Sequence, residues 1–167
     1  MKGQISSIDA LIAILLFTGI YAFLTSAYQG IDLERDEFES LSLKTSVVSS
    51  NLLSSQGEPF NWTQADVSQF GLVVNRGVIE RNKLAAFLNL SQNNLSRTSE
   101  LLGVSGYGFY FNVSYLNGSI VSIAAPSFNG QAVIGSDFNS TTAASVRSLA
   151  VYDNLPVFVI IKIGVIS

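Results

Sequence analysis

The dominant pattern in the chain is a long apolar run near its start. From Ala10 to Ile31 no residue is charged, and a helix over these 22 positions would span about 33 Å at 1.5 Å per residue. A bilayer's hydrocarbon layer is about 30 Å thick, so the run predicts a membrane-crossing helix. Two alternatives remain: a secretory signal peptide cut near Thr25 and Ala27, and a plain signal-anchor helix.

Beyond this run the pattern becomes that of an amphipathic helix. Acidic residues crowd positions 32–39, and apolar residues recur at helical spacing at Ile31, Phe38, Leu41, Val48 and Leu52. Gly57 can cap such a helix, and Pro59 prevents its extension. We therefore expect one helix over residues 4–54, roughly 75 Å long, that is apolar to about residue 30 and amphipathic beyond.

Local signals predict a separate head over residues 58–167. Three short helices are expected, at 63–70 with Thr63 as cap, at 80–90, and at 94–102 ended by Gly103. Apolar and polar residues then alternate from Phe109 to Tyr115, the period of a strand. Asn117-Gly118 is a type I′ hairpin signal that would return the chain through 120–123.

The last third of the chain completes the predicted sheet. Residues 126–142 are rich in Gly, Ser and Asn and indicate a long loop with room for a short strand at 132–134. Strands follow at 146–152 and 157–165, and the last is apolar on both faces, as in a central strand covered by a helix. The fold class is α+β: a long N-terminal hydrophobic helix, then a small head with short helices and an antiparallel β-sheet packed on the helix C-terminal half.

Composition removes most enzyme classes. The chain has no Cys and no His, so it lacks disulfides, thiolate nucleophiles, imidazole bases and the commonest zinc ligands. Acidic residues outside 32–39 are scattered, so they indicate neither a calcium loop nor a pair of catalytic carboxylates. The net charge is −3 and there is no basic patch, so the sequence gives no electrostatic support for nucleic-acid binding. We expect no enzymatic activity, no catalytic residue, no metal, no cofactor and no nucleic-acid partner.

Six Asn-x-Ser/Thr glycosylation patterns all follow Gly57. This one-sided distribution fits an external C-terminal region, and Lys2 fits an N-terminus on the cytoplasmic side. The candidate N-glycosylation sites are Asn61, Asn89, Asn94, Asn112, Asn117 and Asn139.

The residues before the apolar run resemble the class III signal peptide of archaeal type IV pilins. They read Lys2-Gly3-Gln4-Ile5-Ser6-Ser7-Ile8-Asp9-Ala10-Leu11-Ile12. In that family a membrane peptidase cuts after the Gly, so the resemblance implies cleavage between Gly3 and Gln4 and loss of a cytoplasmic leader, residues 1–3. Ser6 matches the family's Ser at mature position three, whereas the family's acid at position five falls on Ile8 here, and Asp9 lies one position later.

Asp9 has two interpretations. A carboxylate beside an apolar helix is costly unless paired, and the amine created at Gln4, on the same or a neighbouring subunit, would be the nearest cation. Alternatively, Asp9 and Ser6 lie near the helix N-terminus at headgroup level, where a hydrated anion is favoured.

The segment Gln56-Gly57-Glu58-Pro59-Phe60-Asn61-Trp62 and the order of motifs after it are also similar to archaeal class III signal proteins. The resemblance implies a structural subunit of an extracellular type IV pilus-like filament, single-pass in the cell membrane with its N-terminus inside before assembly. Partners would be further copies of the chain, membrane lipid, the prepilin peptidase and the assembly machinery. The alternative is a solitary membrane-anchored binding module or a minor adhesive or initiating pilin. The filament core would be formed by Leu11, Ile12, Leu15, Leu16, Phe17, Ile20, Phe23 and Leu24.

Overall fold

The computed structural model describes residues 2–75, 77–138, 140 and 142–165, with side chains from residue 8 onward except 27–35. Two compact units are present, Met1–Glu37 and Phe38–Ser167. The described elements are three helices and eight strands: α1 Lys2–Ser54, β1 Val73–Asn75, β2 Val78–Ile79, α2 Arg81–Asn93, α3 Leu95–Leu101, β3 Tyr107–Tyr115, β4 Ser122–Ala125, β5 Phe128–Gln131, β6 Val133–Ile134, β7 Ala143–Tyr152 and β8 Leu155–Val165. The chain is therefore a mixed α+β protein with an N-terminal apolar helix.

The described part of the first unit, residues 2–37, is helical. Its hydroxyl groups bond back to the helix itself, because an apolar helix offers them no other partner: Thr18 Oγ1 donates to the Ile14 carbonyl at 2.7 Å, and Thr25 Oγ1 to that of Tyr21 at 3.0 Å. The described side chains of residues 8–26 are exposed or, at Thr25, partly exposed.

In the second unit, one face of α1 belongs to the hydrophobic core. Leu41, Val48 and Leu52 are at most 3% exposed and cluster with apolar residues of the sheet and of α2. Thr45 lies between them, fully buried, with its hydroxyl donated to the Leu41 carbonyl at 2.7 Å. Phe38, the first residue of the unit, is 50% exposed.

The chain leaves α1 through a tight junction. Gly57 adopts a φ of +82°, the left-handed conformation expected of the predicted cap. The Leu72 amide donates to the Leu52 carbonyl at 2.9 Å, and Trp62 Nε1 donates to the Gly71 carbonyl at 3.0 Å. The returning segment is thereby fixed against the end of α1.

Two of the three predicted short helices are present. Glu80 is the N-cap residue of α2, and Asn94 caps α3 by accepting the Arg97 amide on its side-chain oxygen. The predicted helix at 63–70 is wrong. The Asp66 carboxylate instead accepts both the amide and the hydroxyl of Thr63, at 2.6 and 2.7 Å, which holds the chain in a turn.

The main sheet has six strands in the order β1-β2-β7-β8-β3-β6. Its described pairings are antiparallel except β2 with β7, which is parallel. Strand β8 lies between β7 and β3, which is the central place predicted for it. Alternate residues of β8 are buried, namely Val157, Val159, Ile161 and Ile163, and the residues between them are partly exposed.

The strand connections differ from the prediction in two places. The Asn117-Gly118 turn forms, but only Gly118 has a positive φ, so it is not type I′. The chain returns along β3 only as far as Val121, whose amide donates to the Val113 carbonyl, and then departs. Strand β4 pairs instead with β5, which lies within the segment predicted as a loop. Strand β6 takes the place beside β3.

Candidate functional site

The first candidate surface is the apolar part of α1 in the first unit. Residues Ile8–Ser26 have a mean hydropathy of 2.1 and are not buried, so this helix is long and apolar enough to cross a membrane. All eight residues predicted for the filament core are on this stretch and are between 46% and 73% exposed: Leu11, Ile12, Leu15, Leu16, Phe17, Ile20, Phe23 and Leu24. A helix that is apolar all round requires lipid or protein on every side.

The predicted processing site lies at the beginning of this helix. Gly3, Gln4 and Ser6 are helical, but their side chains lie outside the described ones. Asp9 is exposed on the same helix. The proposed pairing of Asp9 with an amine at Gln4 therefore stays a prediction, as does the alternative role at the helix N-terminus.

The second candidate surface is the outer face of α1 in the second unit. Leu43 is 68% exposed and Val47 is 49% exposed, one turn apart on the same side of the helix. They point away from the buried row formed by Leu41, Val48 and Leu52. The second half of α1 thus carries apolar residues on two sides, and the head uses only one of them.

A hollow continues this outer face toward the sheet. It has a volume of about 400 Å³ and is lined by α1 and β7, mainly through serine side chains and the apolar Leu53 and Leu149. Ser49 and Ser148 close its floor with their hydroxyl oxygens 3.2 Å apart. Together Leu43, Val47 and the hollow form what we call the lateral face.

Sequence reasoning missed the lateral face because it followed a single helical stripe. Leu43 and Val47 lie outside the stripe that runs through Leu41, Val48 and Leu52. The available signal was the composition of 40–54, where Lys44 is the only charged residue. A solvated helix face normally carries more charge than this.

A cavity of about 330 Å³ lies elsewhere in the head, between α3 and the ends of β3 and β8. Its walls include the aromatic rings of Tyr107, Phe109 and Phe138. Phe138 packs over Gly108 and Gly164, which are opposite each other in the β3–β8 ladder, and Lys162 Nζ lies 5.0 Å from its ring centre. The cavity is therefore a preformed aromatic and hydroxyl-lined hollow of the size that binds a small ligand.

The predicted glycosylation sites fall into different environments. Asn61, Asn94 and Asn117 are exposed, Asn89 is partly exposed and Asn112 is only 8% exposed. Asn139 lies outside the described residues. The side-chain oxygen of Asn112 is buried without a hydrogen-bond partner among the described groups.

Three titratable groups of the head have shifted pKa values. The pKa of Asp66 is lowered, chiefly because the Thr63 amide donates to the carboxylate. The pKa of Tyr152 is raised, first by partial burial, and the pKa of Arg81 is raised by Asp153, 2.6 Å away. Within the described parts of the chain, no three Asp or Glu residues are grouped as metal ligands would be.

Both candidate surfaces expose apolar side chains. In comparisons with known proteins, no family model, no curated protein and no solved structure matches the chain.

Proposed function

We propose that the chain is a structural subunit of an extracellular type IV pilus-like filament, held in the membrane by α1 before assembly. The observation that carries the proposal is that α1 is apolar and unburied over Ile8–Ser26 and, within Phe38–Ser167, still has apolar residues left over on its lateral face. A membrane anchor alone needs about 20 apolar residues. It does not need exposed Leu43 and Val47 in the head.

The proposal assigns different partners to the two surfaces. Lipid covers residues 8–26 before assembly, and the same residues of neighbouring subunits cover them in the filament. The lateral face belongs to the external head, where water replaces lipid, so burying Leu43 and Val47 against another subunit gains hydrophobic free energy of about 25 cal/mol per Å². The chain would be cut between Gly3 and Gln4 by a prepilin peptidase, and the head would fold around Leu41, Val48 and Leu52 on the helix C-terminal half.

A substitution on the lateral face separates assembly from folding. The pair Leu43→Glu and Val47→Glu introduces two good helix formers at exposed positions, so the free energy of unfolding should change by less than about 0.5 kcal/mol per site. The protein should reach the membrane in normal amount but form no filaments by electron microscopy of the cell surface. Leu116→Glu, at a residue that is 55% exposed in a turn, is the matched control and should leave filaments unaffected.

Normal filaments from the double variant, with the control also normal, would remove the lateral face from the subunit contacts. If the wild-type chain remains in the membrane fraction and forms no filaments, the alternative function gains support. That alternative is a membrane-anchored binding module or minor adhesive pilin, and the cavity lined by Tyr107, Phe109 and Phe138 is the observation that favours it.

A further inference from the structure

The five described glycosylation patterns differ in whether the asparagine amide nitrogen is free to react. An acceptor asparagine must present its Nδ2 atom, with the hydroxyl of the Ser or Thr two residues later close by, on a surface that an enzyme can reach. The structure can therefore rank the patterns by the partners that each amide and hydroxyl already has.

At Asn112 and Asn89 the asparagine amide nitrogen already donates a hydrogen bond. Asn112 lies inside β3 between β6 and β8, is 8% exposed, and its Nδ2 donates to the Tyr110 hydroxyl at 2.9 Å. The Nδ2 of Asn89 donates to the Ser127 carbonyl, and its partner hydroxyl on Ser91 is 2% exposed and donates to the helix backbone. Neither pattern can be presented while the head is folded.

At Asn94 and Asn61 the surrounding residues hold the pattern in the folded structure. Asn94 is the cap of α3, with its side-chain oxygen accepting the Arg97 amide at 3.0 Å, and Ser96 is already inside that helix. Asn61 is exposed, but the hydroxyl of Thr63 donates to Asp66 at 2.7 Å, and the intervening Trp62 is only 4% exposed. Presenting either pattern would require a helix cap or a core tryptophan to leave its place.

Asn117 meets each requirement. It lies in an exposed turn after β3, where residues 116–119 are exposed. Its side-chain oxygen accepts both the amide and the hydroxyl of Ser119, at 3.0 and 2.7 Å, which brings the hydroxyl to the asparagine. Among the described residues Nδ2 has no hydrogen-bond partner. The turn is closed by Tyr115, whose carbonyl accepts the Gly118 amide at 2.9 Å.

We propose that Asn117 is the glycan acceptor of the folded head, in preference to the other four described patterns. In the reaction, Asn117 Nδ2 attacks the anomeric carbon of a lipid-linked oligosaccharide and a carbon–nitrogen bond forms. The bond from that carbon to the lipid phosphate oxygen breaks, the lipid phosphate leaves with the electron pair, and the Nδ2 proton passes to a base of the transferase. No oxidation or reduction occurs.

The experiment uses the full chain, folded in detergent micelles. It is incubated with a purified single-subunit oligosaccharyltransferase that requires only Asn-x-Ser/Thr and with a lipid-linked oligosaccharide, and glycopeptides are measured by mass spectrometry over time. The proposal expects Asn117 to be occupied first and most among the five described sites. Asn117→Gln and Ser119→Ala should each abolish modification of this turn, while Asn112→Gln should leave it unchanged.

Two outcomes would overturn the assignment. One is occupancy at Asn61, Asn89, Asn94 or Asn112 that equals or precedes that of Asn117 in the folded wild-type chain. The other is an unmodified Asn117 under conditions in which the same enzyme modifies a peptide of residues 113–121. Since neither outcome requires a variant of the chain, the test does not depend on whether a variant folds, nor on whether the protein forms filaments.

Discussion

At the scale of single residues, Gly71 is among the most constrained positions in the head. A Cβ atom there would lie 2.2 Å from the Gly57 nitrogen and 2.3 Å from the Ser55 carbonyl oxygen, both of which are backbone atoms. Backbone atoms cannot rotate aside as side chains can. The contact therefore fixes how closely the chain returns to the end of α1.

Gly71→Ala should consequently destabilise the head by about 3 kcal/mol, because it forces the junction apart and strains the nearby Leu72–Leu52 hydrogen bond. Chemical unfolding of the full chain in detergent, followed by tryptophan fluorescence from Trp62, measures the effect. Gly19→Ala is the matched control, since nothing lies within 4 Å of a Cβ at that position. Equal stability of the Gly71 variant and wild type would show that the close approach is not required.

Asp66 makes a second prediction at this scale, on pH dependence. Its pKa in the folded protein is lowered from 3.8 by the donors on Thr63, so its stabilising effect is complete above the unfolded value and is lost as pH falls through the folded value. The unfolding temperature of wild type should exceed that of Asp66→Asn at about pH 6, and the difference should shrink at about pH 3. If the difference in unfolding temperature is the same at both pH values, the turn does not depend on the charged carboxylate.

At the scale of elements, the type I′ turn of the sheet lies at a different place from the one that local sequence predicts. Asn117-Gly118 has the preferred type I′ composition but adopts a turn with a positive φ only at Gly118. The link between β7 and β8 is the two-residue loop Asp153-Asn154, whose φ values of 55° and 64° are those of a type I′ turn. Long-range strand pairing determines where the type I′ turn forms, since β8 pairs over its length with both β7 and β3.

Substitutions at Asn154 test this assignment. Glycine adopts the left-handed conformation without a steric cost, so Asn154→Gly should stabilise the head by about 0.5 kcal/mol. Asn154→Val should destabilise it by about 1–2 kcal/mol, because a β-branched side chain is disfavoured there. Thermal unfolding monitored by circular dichroism gives both values. The reverse order of stability for the two variants would contradict a type I′ turn at this position.

The elements that sequence predicted well are those with long, regular patterns. The apolar run of α1, the helix after Glu80, and strands β3, β7 and β8 each have a clear period over many residues. The elements it missed are short or depend on distant partners: β1, β2 and β5 have two to four residues each, and the turn at Thr63 is decided by the single carboxylate of Asp66. Such choices are not encoded in a local period.

The candidate surfaces show the same division. The exposed apolar stretch Ile8–Ser26 is evident from hydropathy alone. The lateral face is not, because helix periodicity cannot tell which of two apolar rows the head will cover. Solvent exposure likewise separates Asn117 from Asn112, which share the same sequence motif.

At the scale of the whole molecule, the proposed function requires one chain to serve first as a membrane protein and then as a filament subunit. The unburied apolar helix and the lateral face of the head are each costly to expose to water. Assembly would remove both costs. Membrane anchoring alone would remove the cost of exposing the apolar helix but not the cost of exposing the lateral face.

The most direct measurement is mass spectrometry, combined with electron microscopy, of material sheared from the surface of cells expressing the tagged chain. The proposed function predicts filaments whose subunit begins at Gln4, without residues 1–3, and carries its remaining sequence intact. Recovery of the protein only from the membrane, with Met1 to Gly3 still attached and no filaments, would contradict it.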